Sequence, residues 1–262
     1  MINTNDIIDP VQIENKYAIF STYKDDVVFD RENIKTPIFC GGIIKSINHN
    51  VYNFKINETI GYISCKQSSD LTLSANQILK IPMNNNEKLI AVLPYASHAM
   101  KILRQLKPSL NQNIVIVKIN FFSILLERLI KLSGANVFLI DSKDYSKLNG
   151  VAIDTIIYYS LTPKVNEVIS KIICRNTIDL KNISLYDKGL EDFNYLKGVR
   201  YPYPYVRWDY KRNLEYFIDL IDSKKVLLDF FEVQFIEIVE LDEIIRNNNE
   251  FKENSLILFK IE

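Results

Sequence analysis

The chain has 262 residues, 47% of them apolar and 24% charged, enough to bury a full core in one or two domains. Lysine plus arginine and aspartate plus glutamate both number 32, so no global field directs the protein to nucleic acid or to an anionic membrane. No apolar run reaches the ~18 residues of a membrane span, and the N-terminal stretch lacks the basic and apolar regions of a secretion signal, so a cytoplasmic protein is expected.

Three cysteines, Cys40, Cys65 and Cys174, lie far apart with no close pairing, and are expected to be free buried thiols. The two histidines, His49 and His98, show no metal-ligand spacing, so no zinc site is expected. Only seven glycines occur, well under the usual share of about 7%, and glycine is what permits close backbone approach to a ligand.

In chain order, residues 1–15 read as polar and frayed, or as a loose first strand. Strands are expected over Tyr17–Tyr23, over Ile38–Ile47 with a bulge or close approach at Gly41-Gly42, over Thr59–Ser64, and over Leu71–Ile81. Short strands at this density argue for a small β-rich domain. Leu89–Leu106 has helical periodicity, with Pro94 expected to kink or split it. His98 lies in that helix, either half-buried or as an acid or base near a cleft.

Asn113–Asp141 carries the clearest pattern in the chain. Ile114–Val117 is a β-branched apolar run. Phe121, Phe122, Leu125, Leu129 and Leu132 repeat at helical spacing, with Glu127, Arg128 and Lys131 left to water. Gly134 stops the helix, and Asn136–Ile140 is a second buried strand ending in Asp141. Strand, helix and strand in about 30 residues make one βαβ unit. In dinucleotide-binding units the turn after the first strand reads G-x-G-x-x-G, with an acid about 20 residues on. Here Lys118, Asn120 and Ser123 stand at the three glycine positions, while Asp141 stands where the ribose-binding acid belongs.

Val151–Tyr159 reads as a further parallel strand and Pro163–Cys174 as a helix capped by Thr162; Asn176–Leu180 and Asn182–Tyr186 could supply another strand. Strands alternating with helices place this part in the doubly wound α/β class. Gly198–Asn213 interleaves Arg200, Arg207, Lys211 and Arg212 with Tyr201, Tyr203, Tyr205, Trp208 and Tyr210. Such a stretch either packs its rings on the sheet ahead of a helix over Asp209–Ser223, or grips an anionic small molecule; nucleic acid is the least favoured partner. Val226–Ile238 alternates like a strand, Asp242–Asn248 reads as a short helix, and Ser255–Ile261 as a final strand that rejoins the N-terminal β domain.

The order of parts resembles the medium-chain dehydrogenase/reductase superfamily. Val51–Ile60 is similar to its V-x-x-F-K-x-G-D-x-V turn, and Gly134-Ala135-Asn136-Val137 to the G-A-x-V before its second Rossmann strand. Tyr201-Pro202-x-x-Tyr205-Val206-Arg207-Trp208, with Arg212-Asn213, is similar to a motif of zinc-free members in sugar and polysaccharide biosynthesis. The resemblance implies a GroES-like β domain formed by both chain ends (1–92 and 225–262) and a Rossmann-like doubly wound parallel-sheet domain over 93–224. It implies NAD or NADP held by Lys118, Asn120, Ser123 and Asp141, and a small anionic or sugar-derived ligand near His98, Tyr205, Arg207 and Arg212. No zinc is expected, because Cys40-Gly41-Gly42 replaces the family's Gly-His-Glu. Three readings stay open. The chain is a metal-independent NAD(P)-linked oxidoreductase of sugar or secondary-metabolite biosynthesis, or a catalytically inactive homologue that binds or scaffolds, as a homodimer or with a partner enzyme, or a Rossmann-like protein that has exchanged the dinucleotide for a smaller anionic or nucleotide-sugar ligand at the strand C-termini.

Overall fold

The computed structural model describes residues 9–19, 39–62, 69–82, 86–117, 119–141, 148, 150–158, 174–179, 210–237, 240 and 255–261. Two sheets and three helices account for most of them. The first sheet draws on both chain ends: β1 (Pro10–Ile19), β2 (Phe39–Ile47), β3 (Thr59–Tyr62), β4 (Asp70–Ser74), β5 (Ile78–Lys80), β10 (Glu232–Glu237) and β11 (Ser255–Lys260). Its order is β10-β11-β1-β2-β3-β5, with β4 also on β1. All pairs are antiparallel except β10 with β11. This is the GroES-like part.

β1 is central rather than frayed. It pairs with β2, β4 and β11, and buries Val11, Ile13 and Ala18. Gly42 does meet close backbone, Gly41 meets the Ile90 side chain, and the irregularity opposite them falls on β1 between Asn15 and Tyr17. A methyl at Gly42 would stand 2.5 Å from the Glu14 carbonyl oxygen, and one at Gly41 would stand 2.6 Å from Ile90 Cδ1. At Gly42 the obstacle is backbone, while at Gly41 it is the end of the Ile90 side chain.

The second sheet is parallel throughout, with β6 (Asn113–Val117), β7 (Asn136–Ile140), β8 (Ile153–Tyr158) and β9 (Cys174–Asp179) in the order β7-β6-β8-β9. Cys174 therefore opens a strand rather than closing a helix. The chain leaves β6 on one side for β7 and returns on the other for β8. That reversal is the topological switch point at which α/β sheets bind ligands, outside the strand C-termini.

Helix α1 (Asn86–Leu106) runs through Pro94 without being split. It buries eight consecutive residues, Leu89–Ala96, and an α-helix can do this only when it has partners on every side. One continuous core joins α1 to Phe39, Leu79 and Leu258 of the first sheet and to Ile114, Ile116 and Ile157 of the second. The expected boundary between residues 92 and 93 falls inside this helix. Helix α2 (Phe121–Lys131) packs the faces of β6 and β7, and its stripe is buried as expected up to Ile130. Leu132 is the exception: as C-cap residue it is 44% exposed. Gly134 ends the unit with φ of +80°. Helix α3 (Tyr210–Asp222) packs on α1.

The expected helices over 163–173 and 242–248, the expected strand over 182–186, and Cys65 lie outside the described residues. Among the described residues no helix is long and apolar enough to cross a membrane.

Candidate functional site

The switch point between β6 and β8 opens onto the first turn of α2, and three hydrogen bonds of 2.8 Å fix that turn. Ser123 N–H donates to Asn120 Oδ1, Asn120 N–H donates to Ser123 Oγ, and the Ser123 hydroxyl donates to the Asn120 carbonyl. The pattern is a reciprocal N-terminal cap, satisfying donors that a helix start otherwise leaves to a ligand or to water. Asn120 achieves it with φ of −151° and ψ of 176°, extended backbone rather than the left-handed geometry its residue type also permits. Ser123 is fully buried beneath the turn.

Phe121 and Phe122 follow directly and both point inward. The Phe121 ring lies 5.2 Å from Tyr95, 5.5 Å from Phe230 and 5.1 Å from Phe231, centroid to centroid. Cations hold the 227–231 segment in place over this cluster. Lys88 Nζ donates to the carbonyls of Leu228 and Phe231 at 3.1 and 3.0 Å, and lies over the Phe231 ring. Arg128 donates to the Leu227 carbonyl at 2.7 Å, pairs with Asp229, and covers the Phe230 ring at 4.6 Å. Arg128 is thus a clamp and not a solvated charge. Asp229 responds: its hydrogen bond to Arg128 holds its carboxyl below the usual range. Edge-to-face ring pairs and partly covered cation–π contacts of this type are each worth roughly 0.5–1.5 kcal/mol.

Of the residues expected at a cofactor, Asn120 and Ser123 are adjacent but bonded to one another. Asp141 follows β7, one strand over from Val117, and is exposed. Lys118 lies outside the described residues. Of the residues expected at a substrate, His98 and Arg212 lie among the described ones. His98 is 8% exposed, its ring centroid 5.3 Å from Phe122 on the inner side of α2, and its Nδ1 has no hydrogen-bond partner. Burial, with a smaller contribution from Lys101, lowers its pKa to about 4, so it is neutral at physiological pH. Arg212 is half-buried on α3, and Tyr205 and Arg207 lie outside the described residues.

Cys40, where zinc enzymes of the resembling family carry a different motif, is fully buried and in no disulfide. It lies near Tyr62, whose hydroxyl is pushed up mainly by burial and secondarily by Cys40. Among the described residues no group of three or more His, Cys, Asp or Glu side chains is placed to hold a metal ion. The aromatic cluster and its two cation clamps escaped the sequence reading because Tyr95, Phe121 and Phe230-Phe231 come from three remote segments. The Phe121-Phe122 and Phe230-Phe231 doublets were the signals in reach.

No family model and no curated protein matches the sequence. Solved structures do match over nearly the whole chain. An alcohol dehydrogenase superfamily protein from Novosphingobium aromaticivorans is similar with a TM-score of 0.64 at 10% identity, covering 97% of this chain and 92% of that one. The quinone oxidoreductase from Coxiella burnetii gives 0.61 at 13% identity, covering 97% and 90%. Galactitol-1-phosphate dehydrogenase from Escherichia coli gives 0.62 at 11% identity, covering 100% and 94%. At such identities the likeness speaks for architecture alone, and the protein has the medium-chain alcohol dehydrogenase fold, a GroES-like sheet joined to a Rossmann-like one.

Proposed function

We propose that this alcohol-dehydrogenase fold does not seat a dinucleotide and serves as a non-catalytic binding or scaffolding protein, alone as a homodimer or beside a partner enzyme. The observation that carries the reading is the Asn120–Ser123 cap. Pyrophosphate binds such a turn through bare backbone N–H groups at the helix start, with glycine admitting it closely. Here the Ser123 N–H already donates to Asn120 Oδ1 at 2.8 Å. The side chain that replaces glycine thus presents an acceptor oxygen where an anion needs donors. The residues present do not fit the group. The buried, neutral His98 supports the same reading, since a group with a pKa of about 4 is protonated too rarely at neutral pH to donate.

A second reading is favoured by Asp141, which follows the strand beside β6 as a ribose-binding acid would. On that reading the protein is a metal-independent NAD(P)-linked oxidoreductase acting on a sugar-derived or other small anionic substrate. Titration with NADH and NADPH, followed by cofactor fluorescence, separates the two. No saturable signal is expected with either. Saturation in the micromolar range, weakened by Asp141→Ala, would establish the second reading. Sedimentation velocity then tests the scaffold by asking whether the chain self-associates.

A further inference from the structure

We infer that the groove between α1 and α2 is a docking site for an extended acidic-aromatic segment of a partner protein, held shut by the chain's own residues 226–231. That segment shows what the groove takes. Val226, Leu228 and Phe231 are buried, while Leu227 is 52% exposed and the Asp229 side chain 63%, the in-and-out alternation of a strand. Yet among the described residues it pairs with no strand, and no backbone–backbone hydrogen bond holds residues 227–230. Side chains grip its backbone instead: Arg128 of α2 donates to the Leu227 carbonyl, and Lys88 of α1 to those of Leu228 and Phe231. Extended peptides are recognised in this way, by polar grips on the main chain and pockets for alternate side chains.

The side-chain contacts define the occupant's chemistry. Asp229 reaches Arg128, Phe230 stacks on Phe121 and meets the same guanidinium, and Phe231 sets its edge against Phe121 next to Lys88. An acid followed by two aromatics therefore fits a groove with an aromatic floor and two cations at its rim. The segment is also displaceable. Its one ion pair is exposed, where such pairs contribute little, and a stretch without backbone bonds of its own opens at less cost than the core beneath it. Tethering makes it equivalent to a competing ligand at roughly millimolar concentration, so a partner enters only by binding more tightly or by holding the chain elsewhere as well. The partner of the scaffolding role proposed above would dock here, and the inference rests on that role for its purpose; NADH plays no part in its test, so each can fail alone.

Fluorescence anisotropy of a labelled peptide of Lys225–Glu232 with the full chain tests this. The Asp229→Ala/Phe230→Ala variant loosens the chain's own segment and leaves the groove intact. It should bind the peptide saturably and about tenfold more tightly than the parent does. A peptide with alanine at both phenylalanines should bind it about tenfold more weakly, and Arg128→Gln in the same background should weaken binding several-fold. A folded variant with no saturable binding, or with equal affinity for the two peptides, would overturn the inference. So would dimerisation of the variant in sedimentation velocity, which would make a second copy the occupant. Opening is measured separately on the otherwise intact chain, by thiol labelling read from peptide masses. Leu228→Cys should react about a hundredfold faster than the fully buried Cys40. Equal rates would mean that the segment moves only when the whole chain unfolds, and would overturn the inference even if the loosened variant failed to fold.

Discussion

Glycine separates the two halves of the molecule. In the GroES-like sheet, Gly41, Gly42 and Gly61 stand where a methyl would fall within 2.5–2.7 Å of Ile90, of the Glu14 carbonyl and of Phe39. In the Rossmann-like half, the β6–α2 turn carries side chains at each position where dinucleotide binding asks for bare backbone. The contrast teaches that glycine stands where the sheet's own close packing demands it, and is missing where only a ligand would. In that turn the Asn120–Ser123 cap holds the helix start, and behind it the Phe121 ring packs inward on Tyr95, Phe230 and Phe231.

The largest expected effect is in the cluster. Phe121→Ala should lose about 4 kcal/mol in urea unfolding, because it empties the space shared by Tyr95, Phe230 and Phe231. A loss under about 1 kcal/mol would mean that these rings do not hold the turn in place.

Acid should break the same region next. The His98 pKa is lowered to about 4 in the fold against about 6.5 unfolded, so the unfolded chain binds the proton more readily. Stability contributed by neutral His98 is complete above pH 6.5 and falls, by on the order of 3 kcal/mol, as pH drops from there towards 4. Comparing denaturation midpoints of the parent and His98→Phe across that window isolates the effect. Parallel curves would contradict the buried placement of the imidazole.

In the other half, Gly42→Ala should cost about 2 kcal/mol, since the obstacle is the Glu14 backbone and not a movable side chain. Unchanged thermal stability would show the β1–β2 contact to be looser than the structure has it. Asn120→Ala, which removes the cap acceptor, should cost about 1 kcal/mol, and Asn120→Gly only a few tenths. The difference between these two small numbers sharpens the comparison, because it measures what the Asn120 side chain does for the turn that a glycine would not.

Much of this was legible in the chain. The βαβ unit over Asn113–Asp141 was readable because its strands are uniformly apolar and its helix repeats at 3.6 residues, both local signals. β1 was hidden by Gln12, Glu14 and Lys16 on its outer face, and by Asn15, a polar residue only 1% exposed whose N–H donates to the Ser69 carbonyl at 2.7 Å. The missing glycines were visible, but what replaces them was not. Asn120 could have served as a left-handed turn residue or as a cap, and only the bond to Ser123 decides. His98 read first as a half-buried helical residue and second as a cleft one, because helical periodicity does not say that Phe122 lies against it.

The first turn of α2 decides whether a dinucleotide can bind, and a crystal structure determined in the presence of excess NADH examines it directly. It should show the Ser123 N–H still donating to Asn120 Oδ1 and no pyrophosphate over the helix start. A dinucleotide lying across Asn120 with that bond broken would contradict it.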